Sequence, residues 1–356
     1  MDDVVASEPI EVSTTEQHML LSRRGRATAP AGRETGASPT GDPGRIPCSL
    51  RKLIRLLWAS SLLGGRMIRL RPVDLPQERD IVLRFLRDSD PEDYLLSLVP
   101  AWKEGEGHLL LEDSGTLLGL ATLEDLGEEE AWIGGIRIAL PFRGQGLGSR
   151  LLEGLLSRGW SQGLRVFRAL VERENQASHA LFRRHGFLEV GRFTLQSGSA
   201  GAWPSASPIQ PVDRKVLPRD LRPGWAPERF GRVDRVGPLN VGRFVRWRGS
   251  LLERWAEEGI YYLTGAAAWL ARPWGAAGTG SLWVSPLSGE LEQWIHGVSQ
   301  QARTLGFGSW EAFLPETAED LEAYRRAGLR WAGSWGESTT LYERDLSQAE
   351  PGQAPS

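Results

Sequence analysis

Gly144, Gly146 and Gly148 fall at every second position between a strand-like stretch and a helix-like one. Upstream, Ile136 and Ile138 alternate with Arg137 and Ala139, the period of a β-strand; downstream, Leu151, Leu152, Leu155 and Leu156 recur with the period of a helix. A loop without Cβ atoms can aim successive backbone N–H groups at one point, and the helix it enters adds unpaired N–H groups and partial positive charge. The chemistry this spacing serves is anion binding, with phosphate the natural ligand. A nucleoside-triphosphate loop would end in Gly-Lys-Ser/Thr, whereas this one ends in Gly148-Ser149-Arg150. In a dinucleotide fingerprint the third glycine would fall on Ser149. The acidic residue that should follow is Glu172, 28 positions after Gly144, against about 20 expected. On the glycines alone, a purely structural turn remains the alternative reading.

The next segment decides between them. Arg143-x-x-Gly146-x-Gly148 is followed, about one helix and one strand later, by Glu174-Asn175-Gln176-Ala177-Ser178-His179-Ala180-Leu181-Phe182-Arg183-Arg184-His185-Gly186-Phe187. Together these resemble the two motifs of the GNAT superfamily of acyl-CoA-dependent N-acyltransferases, over roughly 67–196. The resemblance implies an α/β (α+β) GNAT fold, a mixed and partly splayed sheet flanked by helices. It also implies acetyl-CoA as co-substrate and direct attack of a primary amine on the thioester.

On that resemblance, the main chain of Arg143, Gly144, Gln145, Gly146, Leu147, Gly148 and Ser149 holds the pyrophosphate. The backbone of Ile138 and Leu140 runs beside the pantetheine arm, Asn175 hydrogen-bonds it, and Phe182 packs near it. Asn175 is equally well placed to cap the helix that begins at Gln176. The superfamily's usual acid is a tyrosine where this chain has Phe182, which has no proton to give. Ser178 is then the hydroxyl at hand. The usual base position is Trp132, so Glu130, two residues earlier, and Glu172, at the end of the following strand, are the carboxylate candidates. His179 and His185, six apart on one helix, do not suit a metal pair, and no metal is expected. A competing expectation is a weak or inactive CoA-binding or ligand-sensing protein of the same fold.

The elements that must position these residues follow from the periodicity. Strands are expected at Ile68–Arg71, 108–112, 116–123 and 131–138, and helices from Asp74 or Pro76 to Leu86 and from Asp90-Pro91 to about Trp102. Residues 1–66 read as a disordered leader or as no part of the protein itself, with an expected family-like start at Met67. Residues 197–228 read as a Pro/Gly/Ser-rich linker, with a final strand of the first domain near 209–216, and 347–356 as a disordered tail. Within 229–346, Glu322 to Leu329 parallels Ala180 to Phe187 at an offset of 142. This half is therefore expected to be a second GNAT-like domain, similar to the first and in tandem with it. Its glycine loop is gone and Glu290 and Glu292 stand there instead, so it is expected to pack against the first half and help wall the acceptor pocket. The family tyrosine survives there as Tyr324.

Composition sets outer limits. A hydrophobic content of 40% and a formal net charge of −3 fit a globular protein with no basic excess for nucleic acid. The single cysteine, Cys48, leaves no disulfide to form. The expected partners are acetyl-CoA and an unidentified amine, without nucleic acid or membrane, in a cytoplasmic monomer or homodimer.

Overall fold

In the computed structural model the described residues are 68–203 apart from 106, with 209–211, 236–240, 243–246, 249–264, 267–274, 278, 280–288, 291–333 and 337–347. The expected leader, most of the linker and most of the tail lie outside them. The first part runs β1 (Ile68–Pro72), α1 (Leu75–Ser89), α2 (Leu95–Leu98), β2 (His108–Asp113), β3 (Thr116–Gly127) and β4 (Glu130–Ile138). It continues with α3 (Leu147–Ser161), β5 (Val166–Glu172), α4 (Gln176–Arg184) and β6 (Leu188–Ser199). The second part runs β7 (Ile209–Pro211), β8 (Val236–Asn240), β9 (Arg243–Arg246), α5 (Gly249–Glu257), β10 (Tyr261–Thr264) and β11 (Ala267–Trp274). Then come β12 (Ser281–Ser288), α6 (Leu291–Thr304), β13 (Ser309–Pro315), α7 (Ala318–Arg326), β14 (Arg330–Trp331) and β15 (Thr339–Asp345).

Helix α1 begins at Asp74 with Pro76 in its first turn, where a missing N–H costs nothing. It buries Val82, Phe85 and Leu86 against Leu110 and Leu120 of the sheet. Helix α3 packs Leu151, Leu152 and Leu155 against other strand positions, Leu109, Leu111, Ala121 and Phe167. The second expected helix is shorter than its sequence suggests. Asp90-Pro91 forms a turn, and the chain becomes helical only at Leu95, whose N–H donates to Asp93 Oδ1 at 3.0 Å.

Among the described residues thirteen strands form one mixed sheet in the order β1-β2-β3-β4-β5-β15-β6-β13-β12-β11-β10-β7, with β14 also on β6. Its middle interleaves the two halves of the chain. β15, from the C-terminal end, lies antiparallel between β5 and β6, and β6 pairs in turn with β13. The strand at 209–211 does not complete the first half as expected; it pairs with Tyr262–Thr264 at the far edge. That slot is unavailable because β15 already fills it.

One core is shared by both halves: Trp132, Phe193 and Leu341 pack with Phe244, Trp255, Trp283 and Phe313. An ionic cluster lies beside it. Arg168, fully buried, pairs with Glu130 and with Glu343 (2.7 Å), and Arg246 of β9 joins Glu343 at 2.9 Å. No helix among the described residues is long and apolar enough to cross a membrane.

One buried histidine gives the fold a pH dependence. His108 stacks on Trp102 with ring centroids 3.6 Å apart, and its Nδ1 lies 3.0 Å from Thr122 Oγ1. Burial pushes its pKa down from 6.5 to about 4. Above pH 6.5 both folded and unfolded chains hold it neutral; below that the unfolded chain takes up the proton first, so stability falls with pH. Between pH 7 and pH 5 this group should remove about 2 kcal/mol. Urea unfolding of His108→Phe, which keeps a ring on Trp102, should lose correspondingly less over that interval. Equal losses in both proteins would show that His108 is not the source.

Candidate active site

The parallel pairing of β4 with β5 covers only three residue pairs, Glu130 to Trp132 with Val166 to Arg168. Beyond them the strands part. β4 carries Gly134 and Gly135 there, and Gly135 has φ +61°, a left-handed conformation that glycine adopts without strain. The pairing of β4 with β3 also shifts register opposite this point. A cleft of about 610 Å³ opens between residues 133–138 of β4 and 169–172 of β5. Because β4 has left it, this part of β5 is held in the sheet by β15 alone, through Thr339↔Glu172 to Tyr342↔Ala169.

At one end of the cleft lies the glycine loop. Gly144 and Gly146 have φ +73° and +79°, and a Cβ built on either meets no atom within 4 Å. The loop is thus both bent and open. Gly146 precedes α3, so the N–H groups of Leu147, Gly148 and Ser149 have no intrahelical acceptor, and all three residues line the cleft. Arg143 Nε donates to the Ile138 carbonyl at 2.9 Å, and Gln145 Nε2 to that of Pro141 at 3.0 Å.

Of the residues expected to hold a cofactor, Ile138, Arg143, Gly144 and Gly146 line the cleft. So do Leu147, Gly148, Ser149, Asn175 and Phe182. Leu140 and Gln145 do not. Leu140 sits in a short 3-10 turn, about half exposed, and Gln145 turns back onto Pro141. Asn175 Oδ1 accepts the Ser178 N–H at 3.1 Å, so the helix cap is real and its NH₂ group is what a ligand carbonyl would meet.

The three candidate proton carriers separate. Glu172 and Ser178 line the cleft. Glu130 does not: it is 2% exposed and ion-paired to Arg168, and it accepts the Arg246 backbone N–H at 3.0 Å. Its alternation with Trp132 put it on the correct strand, but on a stretch still closed by β5. Trp132 itself is buried against Phe244.

Sequence reasoning passed over two groupings. His179 bridges the Glu172 carbonyl, 3.1 Å from Nε2, and the Tyr342 hydroxyl, 2.9 Å from Nδ1. A carbonyl only accepts, so Nε2 carries the proton, and in the neutral ring Nδ1 accepts from Tyr342. The Tyr342 ring also stacks on Phe182, centroids 5.8 Å apart. At the other end of the cleft, Asp93 and Tyr94 of the α1–α2 turn meet Arg137 of β4. The visible signal was only a charged residue alternating with isoleucines, and its partner is 44 residues away. No described residue of the second half lines the cleft, contrary to expectation; that half reaches it from behind, through β15. Tyr324, expected to match the family tyrosine, donates to the Pro315 carbonyl at 3.0 Å and is buried. Among the described residues no group of three or more His, Cys, Asp or Glu could hold a metal ion.

A splayed parallel strand pair and an open glycine loop at the following helix together define the cleft. Residues 76–187 match the Acetyltransferase (GNAT) family. L-methionine sulfoximine/L-methionine sulfone acetyltransferases of Pseudomonas aeruginosa and Pseudomonas paraeruginosa are each 34% identical to this chain over 106 residues. That stretch is 28% of this chain, which spans 62% of the length of those curated relatives. A GCN5-related N-acetyltransferase from Sphaerobacter thermophilus is similar in structure, with 16% identity and a TM-score of 0.48, over 80% of this chain and 97% of its own.

Proposed function

We propose that the chain transfers an acetyl group from acetyl-CoA to a primary amine. The observation that carries this is the parting of β4 and β5 beside an open left-handed glycine loop at the α3 N-terminus. The cradle fits a pyrophosphate, and the unpaired strand edges fit an extended amide-bearing arm. The relatives named above act on L-methionine sulfoximine and L-methionine sulfone, both primary amines, which supports the acceptor class.

Acetyl-CoA, when bound, supplies a thioester open to attack by the amine. The protein's residues do the rest. The loop N–H groups and Arg143 hold the phosphates, and the Asn175 carboxamide orients the arm. Glu172 is the carboxylate placed to accept the amine's proton, and the Ser178 hydroxyl the group placed to return one to the thiolate. Phe182 excludes water from that side. The reading includes a cytoplasmic protein, monomer or homodimer. Its second half is a GNAT-like domain without a cofactor loop, supported by the order β12, α6, β13, α7, which repeats β4, α3, β5, α4.

Thiol release from acetyl-CoA across a panel of primary amines tests the reaction. Glu172→Gln and Ser178→Ala should each lower kcat about 10²-fold or more while leaving acetyl-CoA binding near wild type. Glu130→Gln should instead lower the melting temperature and leave kcat within a few-fold. Release no faster than hydrolysis with every amine would overturn the reading in favour of a CoA-binding protein without turnover.

A further inference from the structure

We propose that Asp93 and Arg137 form a specificity gate at the acceptor end of the cleft, turning away amines with a free carboxylate and admitting those whose carboxylate is absent or masked. This rests on the acyl-transfer reading and adds the chemical class of acceptor. Among the described lining residues three side chains are cationic: Arg137, Arg143 and Arg184. Arg143 belongs to the glycine loop. Arg184 stands one turn after Leu181, whose methyl groups lie 3.8–3.9 Å from a Cβ built on Gly148, so it serves the same anion end. Only Arg137 faces the α1–α2 turn.

Its charge is already consumed. Nε and Nη2 both donate to the Asp93 carboxylate, the latter at 3.0 Å, and Nη1 donates to the Ile136 carbonyl at 3.1 Å. The Tyr94 ring lies under the guanidinium, 5.3 Å from centroid to Cζ. The Asp93 side chain is 2% exposed and also accepts the Leu95 N–H at 3.0 Å, so it is fixed from two directions and cannot swing aside. An α-amino acid entering amine-first would bring its carboxylate to a guanidinium already neutralised by Asp93, beside a second negative charge. To pair with Arg137 it would have either to crowd against the Asp93 carboxylate or to displace it and strand a buried carboxylate, and both are unfavourable. A carboxamide, an ester or a simple amine meets no such conflict. This is discrimination by a repulsive element as much as by an attractive one. It sets this chain apart from relatives named for free amino acids.

The test uses matched pairs: methionine sulfone, lysine and phenylalanine, each as free acid and as carboxamide. Binding to the protein saturated with CoA is read by calorimetry, and turnover by thiol release from acetyl-CoA. The wild type should favour each carboxamide by tenfold or more in Kd and in kcat/KM. Asp93→Asn keeps an oxygen for the Leu95 N–H and releases Arg137, so the preference should fall at least tenfold or reverse. Asp93→Ser, which also caps, serves if the asparagine variant melts early. Arg137→Gln should keep the preference for carboxamides. A wild type that prefers the free acids, or Asn and Ser variants with an unchanged ratio, would overturn the gate. So would a protein that binds acetyl-CoA but neither binds nor acetylates any of the six probes, although the cofactor half of the functional reading would then stand. Failure to bind acetyl-CoA at all would overturn that reading too.

Discussion

Ending the chain at Glu337, and so removing β15, should abolish acetyl-CoA binding and cooperative thermal unfolding, although every residue of the glycine loop remains. Seven residues of β15 pair with β5 and five with β6, so the cut strips hydrogen-bond partners from two strands in the middle of a sheet. It removes Leu341 from the shared core, and it removes Tyr342 from beneath Phe182 and His179. It also takes away Glu343, one of the two carboxylates on Arg168. Breaking a buried pair by removing one partner costs about 3–5 kcal/mol, a large share of a domain's roughly 5–15 kcal/mol. Glu343→Ala isolates that part and should lower stability by a similar amount, measured by urea unfolding at neutral pH. The cleft consequence is separate. Residues 169–172 of β5 have no neighbour but β15 once β4 has diverged, so without it one wall is a free edge. A monomeric truncated protein that melts within a few degrees of the full chain and still binds acetyl-CoA would refute this account.

Gly146→Asp should eliminate measurable acetyl-CoA binding while lowering the melting temperature by only roughly a few degrees. The position is exposed and a Cβ there meets nothing, so the fold tolerates the atoms. The ligand does not. A carboxylate about 4 Å from a phosphate charge opposes it by roughly 4 kcal/mol near a protein surface, about a thousandfold in Kd. Gly146→Ala separates charge from backbone strain: φ +79° costs a side chain only about 1–2 kcal/mol. That cost falls on the folded chain with or without ligand, so Gly146→Ala should lower the melting temperature by roughly a few degrees and leave acetyl-CoA binding near wild type. Calorimetry on the wild type should give one site per chain. A second site, or binding that survives the aspartate, would place the cofactor elsewhere.

The open glycine loop at a helix start was legible in the sequence alone, because its geometry is local: glycine spacing permits the backbone angles, and the helix that follows begins within a few residues. For the same reason the sequence determined the order of strands and helices around the loop and the capping role of Asn175. It left open which carboxylate faces the cleft. Glu130 and Glu172 both sit at ends of neighbouring strands, and only the point where β4 leaves β5, after Trp132, puts one inside an ion pair and the other on a wall. It also left open which strand completes the cleft. Thr339 to Asp345 carries no mark of which strands it will pair with, and in the structure its first five residues are all buried. The partner was chosen by tertiary contacts: Glu343 on one face meeting Arg168, 175 residues earlier, and Tyr342 on the other meeting His179, 163 residues earlier. Interactions between residues so far apart leave no periodic trace in the chain. The slot between β5 and β6, and with it the dependence of the cleft on the second half, was decided by packing alone.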